Sequence, residues 1–149
     1  MADPIIKIGS NGAAVKKAQQ ALIDRYYLCD GTADGIFGPV TRKNVIRYQL
    51  DRSAGEWNAY SYPLKIDGIV GPATWSRLTP PVIKKKSTGN AVRLLQEILK
   101  SWGYPPYDPG PVDAKFGALT ETAVKAVQTD YGLKVDGIVG AKTWAAVGS

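Results

Sequence analysis

Asp34-Gly-Ile-Phe37-Gly38-Pro-Val-Thr41 and Asp113-Ala-Lys-Phe116-Gly117-Ala-Leu-Thr120 are one stretch written twice in this chain. Each opens with an aspartate suited to bond its own downstream backbone, which marks a tight turn. In the first copy glycine follows and admits positive φ; the second has Ala114, so its turn must accept a Cβ or change type. The Gly-Pro step that follows starts a helix, because proline at a first helical position has no N–H to leave unpaired. Downstream, Val45 and Gln49 match Val124 and Gln128.

Working outward, the match continues on both sides. Upstream, Pro4–Val15 aligns with Pro81–Val92 without a gap, and Gln19, Leu22 and Tyr27 fall on Gln96, Leu99 and Tyr104. Downstream, Ile66-Asp67-Gly68-Ile69-Val70-Gly71-Pro-Ala-Thr74-Trp75 matches Val135-Asp136-Gly137-Ile138-Val139-Gly140-Ala-Lys-Thr143-Trp144. Three blocks in one order define two repeats, 4–80 and 81–149. The first carries a longer segment, 50–65, where the second has only Thr129–Lys134.

Each repeat reads as three short helices joined by Asp-Gly turns. Val15, Ala18 and Leu22, like Val92, Leu95 and Leu99, recur at helical spacing on one face. Ser10 and Ser87 are the expected N-caps of these first helices. Val45 and Tyr48, and Val124, Val127 and Tyr131, supply the apolar side of the second. The third is short, with Trp75 or Trp144 as core anchor, and Gln49 and Gln128 read as internal polar staples. The expected fold class is all-α: two tandem three-helix bundles.

The pattern Gly-x-x-Val…Gln…Leu, Asp-Gly-x-Phe-Gly-x-x-Thr…Val…Gln, Asp-Gly-x-x-Gly-x-x-Thr-Trp resembles the peptidoglycan-binding domain of bacterial and phage cell-wall hydrolases. The likeness covers nearly the whole chain twice. It implies a three-helix bundle that binds wall glycan or stem peptide and targets attached enzymes. A similar bundle occurs in pro-segments of some animal metalloproteases, but their cysteine motif is absent around Cys29.

Bulk composition agrees with a wall-directed module without selecting it. Hydrophobic residues make up 44% of the 149 and charged ones 21%, as in ordinary globular chains. The net charge of +6 is spread over both repeats; its densest run is Lys84-Lys85-Lys86. That balance favours anionic polymers, wall and nucleic acid alike, but a basic recognition helix is missing, so no nucleic-acid partner is expected. The single cysteine excludes an internal disulfide. The first residues show no basic start followed by an apolar run, and no stretch is long enough to span a membrane. The resemblance implies a location at the bacterial wall or in the extracellular space, here without a recognisable leader and reached by lysis or a phage.

The chain has no histidine, which removes His-based zinc sites and the Ser-His and Cys-His nucleophile pairs. A carboxylate-pair glycosidase remains conceivable, but Glu56, Glu97 and Glu121 fall at unrelated positions. Asp34, Asp67, Asp113 and Asp136 all sit at turns. No catalytic residue, metal site or cofactor is expected.

Ligand contact is expected from two sets of residues. The first surrounds the Asp loops: Tyr27, Asp34, Thr41 and Arg42 in one repeat, Tyr104, Asp113, Lys115 and Thr120 in the other. The second is aromatic loops, Trp57, Tyr60 and Tyr62 in the longer segment and Tyr107 beside Tyr104, which serve ligand specificity or packing. The leading function is non-catalytic binding of peptidoglycan, glycan or stem peptide, by a monomer whose two sites raise avidity. The alternatives are a structural component or fragment of a phage-tail-like or secretion assembly, or the targeting half of a wall hydrolase with its catalytic domain as partner.

Overall fold

The computed structural model describes residues 3–27, 32–53 and 64–149. Trp57, Tyr60, Tyr62 and Cys29 lie outside the described residues. The fold is all-helical: α1 (Ala13–Asp24), α2 (Pro39–Asp51), α3 (Pro72–Leu78), α4 (Asn90–Trp102), α5 (Ala118–Asp130) and α6 (Ala141–Val147), with a 3-10 turn at Pro105–Tyr107. Strand-like pairing among the described residues is limited to isolated antiparallel bridges. The chain folds into two compact units, with the boundary between Thr79 and Pro80.

In the first unit Val15, Ala18 and Leu22 of α1 pack with Val45 and Tyr48 of α2 and Trp75 and Leu78 of α3. Phe37 and Val70, one from each loop, close the core. The Trp75 indole donates to the Pro4 carbonyl at 2.8 Å, tying the unit's last helix to its first described residues. The second unit is built the same way around Val92, Leu95, Leu99, Phe116, Val124, Val127 and Trp144. There the Trp144 indole donates to the Pro81 carbonyl at 2.9 Å.

Helix starts differ from the sequence expectation. The residues before α1 and α4 are Gly12 and Gly89, not Ser10 and Ser87, and neither provides a side-chain cap. The serine hydroxyls are already spent: Ser10 Oγ accepts from the Lys7 N–H and Ser87 Oγ from the Lys84 N–H. The chain stays extended beyond each serine because its backbone pairs with the Asp loop. Phe37 N–H donates to the Ser10 carbonyl and Gly12 N–H to the Gly35 carbonyl, with the matching bonds at Phe116 and Ala114. Gly12 and Gly89 then turn into the helix at φ 116° and 112°, which side-chain-bearing residues rarely adopt.

Ala114 keeps the turn of its glycine counterpart, at φ 62° against 77° for Gly35. A Cβ in this left-handed region is strained by about 1–2 kcal/mol. At Gly35 the added carbon would also lie 3.2 Å from the Gly12 carbonyl oxygen. Gly35→Ala is therefore expected to cost about 2 kcal/mol in urea unfolding. Ala114→Gly, which trades strain for chain entropy, is expected to change stability by less than about 1 kcal/mol.

Candidate functional site

One polar device recurs four times among the described residues and positions the loops of Asp34, Asp67, Asp113 and Asp136. Gln96 is buried on α4, and its side-chain Nε2 donates to Asp113 Oδ1 (3.2 Å), the Lys115 carbonyl (2.9 Å) and Thr120 Oγ1 (3.1 Å). Its Oε1 accepts from the Asp113 and Ala114 N–H groups at 3.2 and 2.9 Å. Gln19 binds Asp34, Ile36, Thr41 and Gly35 in this way. Gln49 does so with Asp67, Ile69, Thr74 and Gly68. Gln128 does so with Asp136, Ile138, Thr143 and Gly137. The sequence predicts staples at Gln49 and Gln128; the structure uses Gln19 and Gln96 in the same role. The recurring building block is thus a helix carrying a glutamine, an Asp turn and the next helix start. It occurs twice in each unit, a finer period than the paired sequence blocks bring out.

This geometry accounts for four of the sequence-derived site residues. Thr41 and Thr120 are 4% and 2% exposed and hold the glutamine amides. Asp34 and Asp113 are exposed, but one oxygen of each accepts the N–H two residues on and the glutamine amide. The Ile36 N–H first, then Gln19, holds the Asp34 carboxyl below its ordinary range; the Lys115 N–H and Gln96 do so for Asp113. These aspartates stay ionised and are loop fasteners with one face to solvent.

Arg42 is exposed, and its stem lies over the second loop of its unit rather than the first. A Cβ at Gly68 would stand 3.1 Å from Arg42 Cγ. Lys115 is exposed, with its backbone opposite Thr88.

Tyr27 lies elsewhere. Its hydroxyl donates to Asp51 Oδ2 and accepts from Arg52 Nη1 at 2.8 Å, at the far end of α2 from Thr41. Thr41 and Asp51 are separated along the helix by on the order of 15 Å, so Tyr27 and the Asp34 loop are two places, not one. The pairing of Tyr27 with Tyr104 also shifts. The residue that repeats its role is Tyr107, whose hydroxyl donates to Asp130 Oδ2 at the end of α5. The 3-10 turn at Pro105–Tyr107 displaces the equivalent tyrosine along the chain, which a gapless alignment does not register.

Tyr104 is thereby freed. It is 65% exposed and meets the Tyr107 ring edge-on at 6.5 Å. Tyr107 stands T-shaped on Trp102 at 5.2 Å, and Trp102 stacks on Tyr131 at 6.4 Å. Tyr131, expected on the buried side of its helix, is instead 53% exposed, because it follows α5 and turns toward Trp102. Beside this cluster lies a pocket of about 200 Å³ lined by Leu99, Lys100, Gly103, Tyr104, Pro105 and Asp108. Lys100 Nζ donates to Asp108 Oδ1 at 3.0 Å and fixes the rim. The Gly110 N–H first, then Lys100, keeps the Asp108 carboxyl below its usual range. Sequence reasoning misses Lys100 and Asp108; the only hint is their place flanking the aromatic run. A shallower depression of about 260 Å³ lies at the last Asp loop, between Lys134 and Lys142.

An apolar-walled pocket with one ion pair at its rim can hold a sugar or peptide face and fix its orientation. Among the described residues no three His, Cys, Asp or Glu side chains gather as metal ligands. No helix among them is long and apolar enough to cross a membrane.

Comparison with known proteins gives one family. A model described as "Putative peptidoglycan binding domain" matches residues 11–53 and 88–147. A probable N-acetylmuramoyl-L-alanine amidase of Bacillus licheniformis is 33% identical over 165 residues, covering 95% of this chain and 44% of the amidase. The N-acetylmuramoyl-L-alanine amidase CwlL of the same organism is 30% identical over 171 residues, with the same two coverages of 95% and 44%. The chain thus spans less than half the length of these relatives. The crystal structure of Burkholderia AP3 phage endolysin aligns over 84% of this chain and 38% of that chain, at 23% identity and a TM-score of 0.39.

Proposed function

This chain belongs to the peptidoglycan-binding domain family, and from that premise we propose that it holds bacterial cell-wall peptidoglycan without cleaving it. It works as the targeting module of a wall hydrolase, at the wall or outside the cell. The observation that carries the reading is the pocket under Tyr104, in the second unit. Tyr104 and Pro105 offer an apolar surface for a sugar face or an N-acetyl methyl, and the Lys100–Asp108 ion pair offers a donor and an acceptor to the ligand's amide and hydroxyl groups. The supporting rings of Trp102 and Tyr107 are packed before any ligand arrives, so little ordering entropy is lost on binding. The two repeats, 4–80 and 81–149, present different surfaces, and the second holds this pocket.

The amidase activity named for the longer relatives is placed outside this chain, which has no histidine to serve as zinc ligand or general base. A turbid suspension of walls is expected to keep its turbidity when this protein is added. The binding test is co-sedimentation with purified sacculi at moderate salt, where the protein is expected in the pellet; its staying in the supernatant would sink the reading. Tyr104→Ala is expected to weaken sacculus binding about tenfold, a loss of about 1.4 kcal/mol, with the unfolding curve unmoved because the ring is exposed. The alternative of a structural part in a tail or secretion assembly has no feature of the fold in its favour.

A further inference from the structure

The segment 84–88 runs against the loop 114–116 as a short antiparallel ribbon. Lys86 N–H donates to the Phe116 carbonyl at 2.9 Å, Phe116 N–H donates to the Ser87 carbonyl at 2.9 Å, and Thr88 faces Lys115. Lys84, Lys85, Lys86 and Lys115 are all exposed on this ribbon. Among the described residues none of the four forms a salt bridge. The nearest carboxylate in sequence, Asp113, already accepts from the Lys115 N–H and Gln96.

The first unit has the same ribbon with other side chains. Gly9 N–H donates to the Phe37 carbonyl at 3.0 Å and Asn11 faces Ile36, so Ile8, Gly9 and Ile36 stand where the second unit has Lys85, Lys86 and Lys115. Ile8 and Ile36 are 51% and 62% exposed, so this surface is apolar in one unit and cationic in the other. Lys86 also sits at φ 82°, a left-handed conformation that Gly9 occupies at 96° freely and a lysine only under strain. Glycine would serve the backbone better there, so folding alone does not call for a lysine at this position.

We propose that this ribbon is a binding site for a linear polyanion. The cations are spread along two adjoining chain segments on open surface, which matches charges repeated along a polymer and not one small ion. Lysine ammonium groups act as point charges toward phosphate or carboxylate, with no demand for planar pairing. Apart from the buried Phe116, the ribbon carries no aromatic side chain on which a nucleic-acid base could stack. The inference stands apart from the pocket under Tyr104, since none of the four lysines lines it; of the four, only Lys115 is also among the ligand contacts expected from the sequence.

The test is isothermal titration of the whole protein with inorganic polyphosphate and, separately, with polygalacturonate, at low and raised salt. A triple variant, Lys85→Ile with Lys86→Gly and Lys115→Ile, installs the first unit's side chains on the second unit's ribbon. It removes one strained residue, so its melting temperature is expected to hold or rise. Its affinity for at least one of the two polymers is expected to fall about tenfold or more, with a shallower salt dependence. The polymer that loses more identifies phosphate or carboxylate as the source. A control replacing the exposed Lys16, Lys43 and Lys65 with glutamine removes the same formal charge and is expected to bind within about twofold of the parent. The proposal is overturned if neither polymer loses affinity in the ribbon variant, or if the control loses as much. It is likewise overturned if a single-stranded oligonucleotide binds about tenfold tighter than both polymers. Retention of the ribbon variant on sacculi stripped of anionic polymer leaves the wall-binding reading intact whatever the ribbon does.

Discussion

Gln96→Ala is expected to lower the stability of the second unit by about 3–4 kcal/mol, a large share of its total. The truncation removes five hydrogen bonds from one buried amide. It strands the Ala114 N–H and the Lys115 carbonyl, each at a cost of about 1–3 kcal/mol, while the Asp113 N–H and Thr120 Oγ1 keep the Pro111 and Pro109 carbonyls as partners. Water entering the vacated space offsets part of that sum. A unit of this size has a total stability of only about 4–10 kcal/mol. Gln96→Glu keeps the shape and the acceptor but cannot donate to Asp113 or to the Lys115 carbonyl. It is expected to recover little, because two carboxylates then face each other. Urea unfolding followed by circular dichroism measures both variants. A loss below about 1 kcal/mol for the alanine variant would show that the loop holds without its staple.

The second large effect is expected at Trp144. Its side chain is fully buried, and its indole N–H closes the unit by bonding the Pro81 carbonyl. Trp144→Ala deletes the largest buried side chain and leaves that carbonyl unpaired, for an expected loss of about 4–5 kcal/mol. Trp144→Phe retains most of the apolar contact and loses the donor, so about 1–2 kcal/mol is expected. Calorimetry of the two variants separates packing from the hydrogen bond. Equal losses would mean that the donor, and not the ring volume, holds the helix.

Much of this molecule was legible in its sequence because it depends on local periodicity and on turn chemistry. Val15, Ala18 and Leu22 lie on one helical face whatever surrounds them, and all three are buried. Pro39 and Pro72 begin α2 and α3, as a residue without an N–H dictates. The paired blocks pointed to the peptidoglycan-binding family, whose model matches most of the chain. The absence of histidine by itself narrows the chemistry open to the chain.

What the sequence left open depends on partners distant along the chain. Ser10 has the chemistry of an N-cap, but its hydroxyl and backbone are claimed by Lys7 and Phe37, so the helix waits until Gly12. Thr41 and Thr120 look like ligand donors at a loop until the glutamine facing them is seen. Tyr104 and Tyr107 are equivalent by composition. Only the 3-10 turn between them decides which tyrosine reaches the end of α5 and which is left at a pocket. Local propensity and hydrophobic spacing determined that this protein is a set of short helices joined by aspartate turns. Which polar groups face inward on a glutamine and which remain free for a ligand was decided by tertiary structure, because a buried donor takes the nearest acceptor in space and not along the chain.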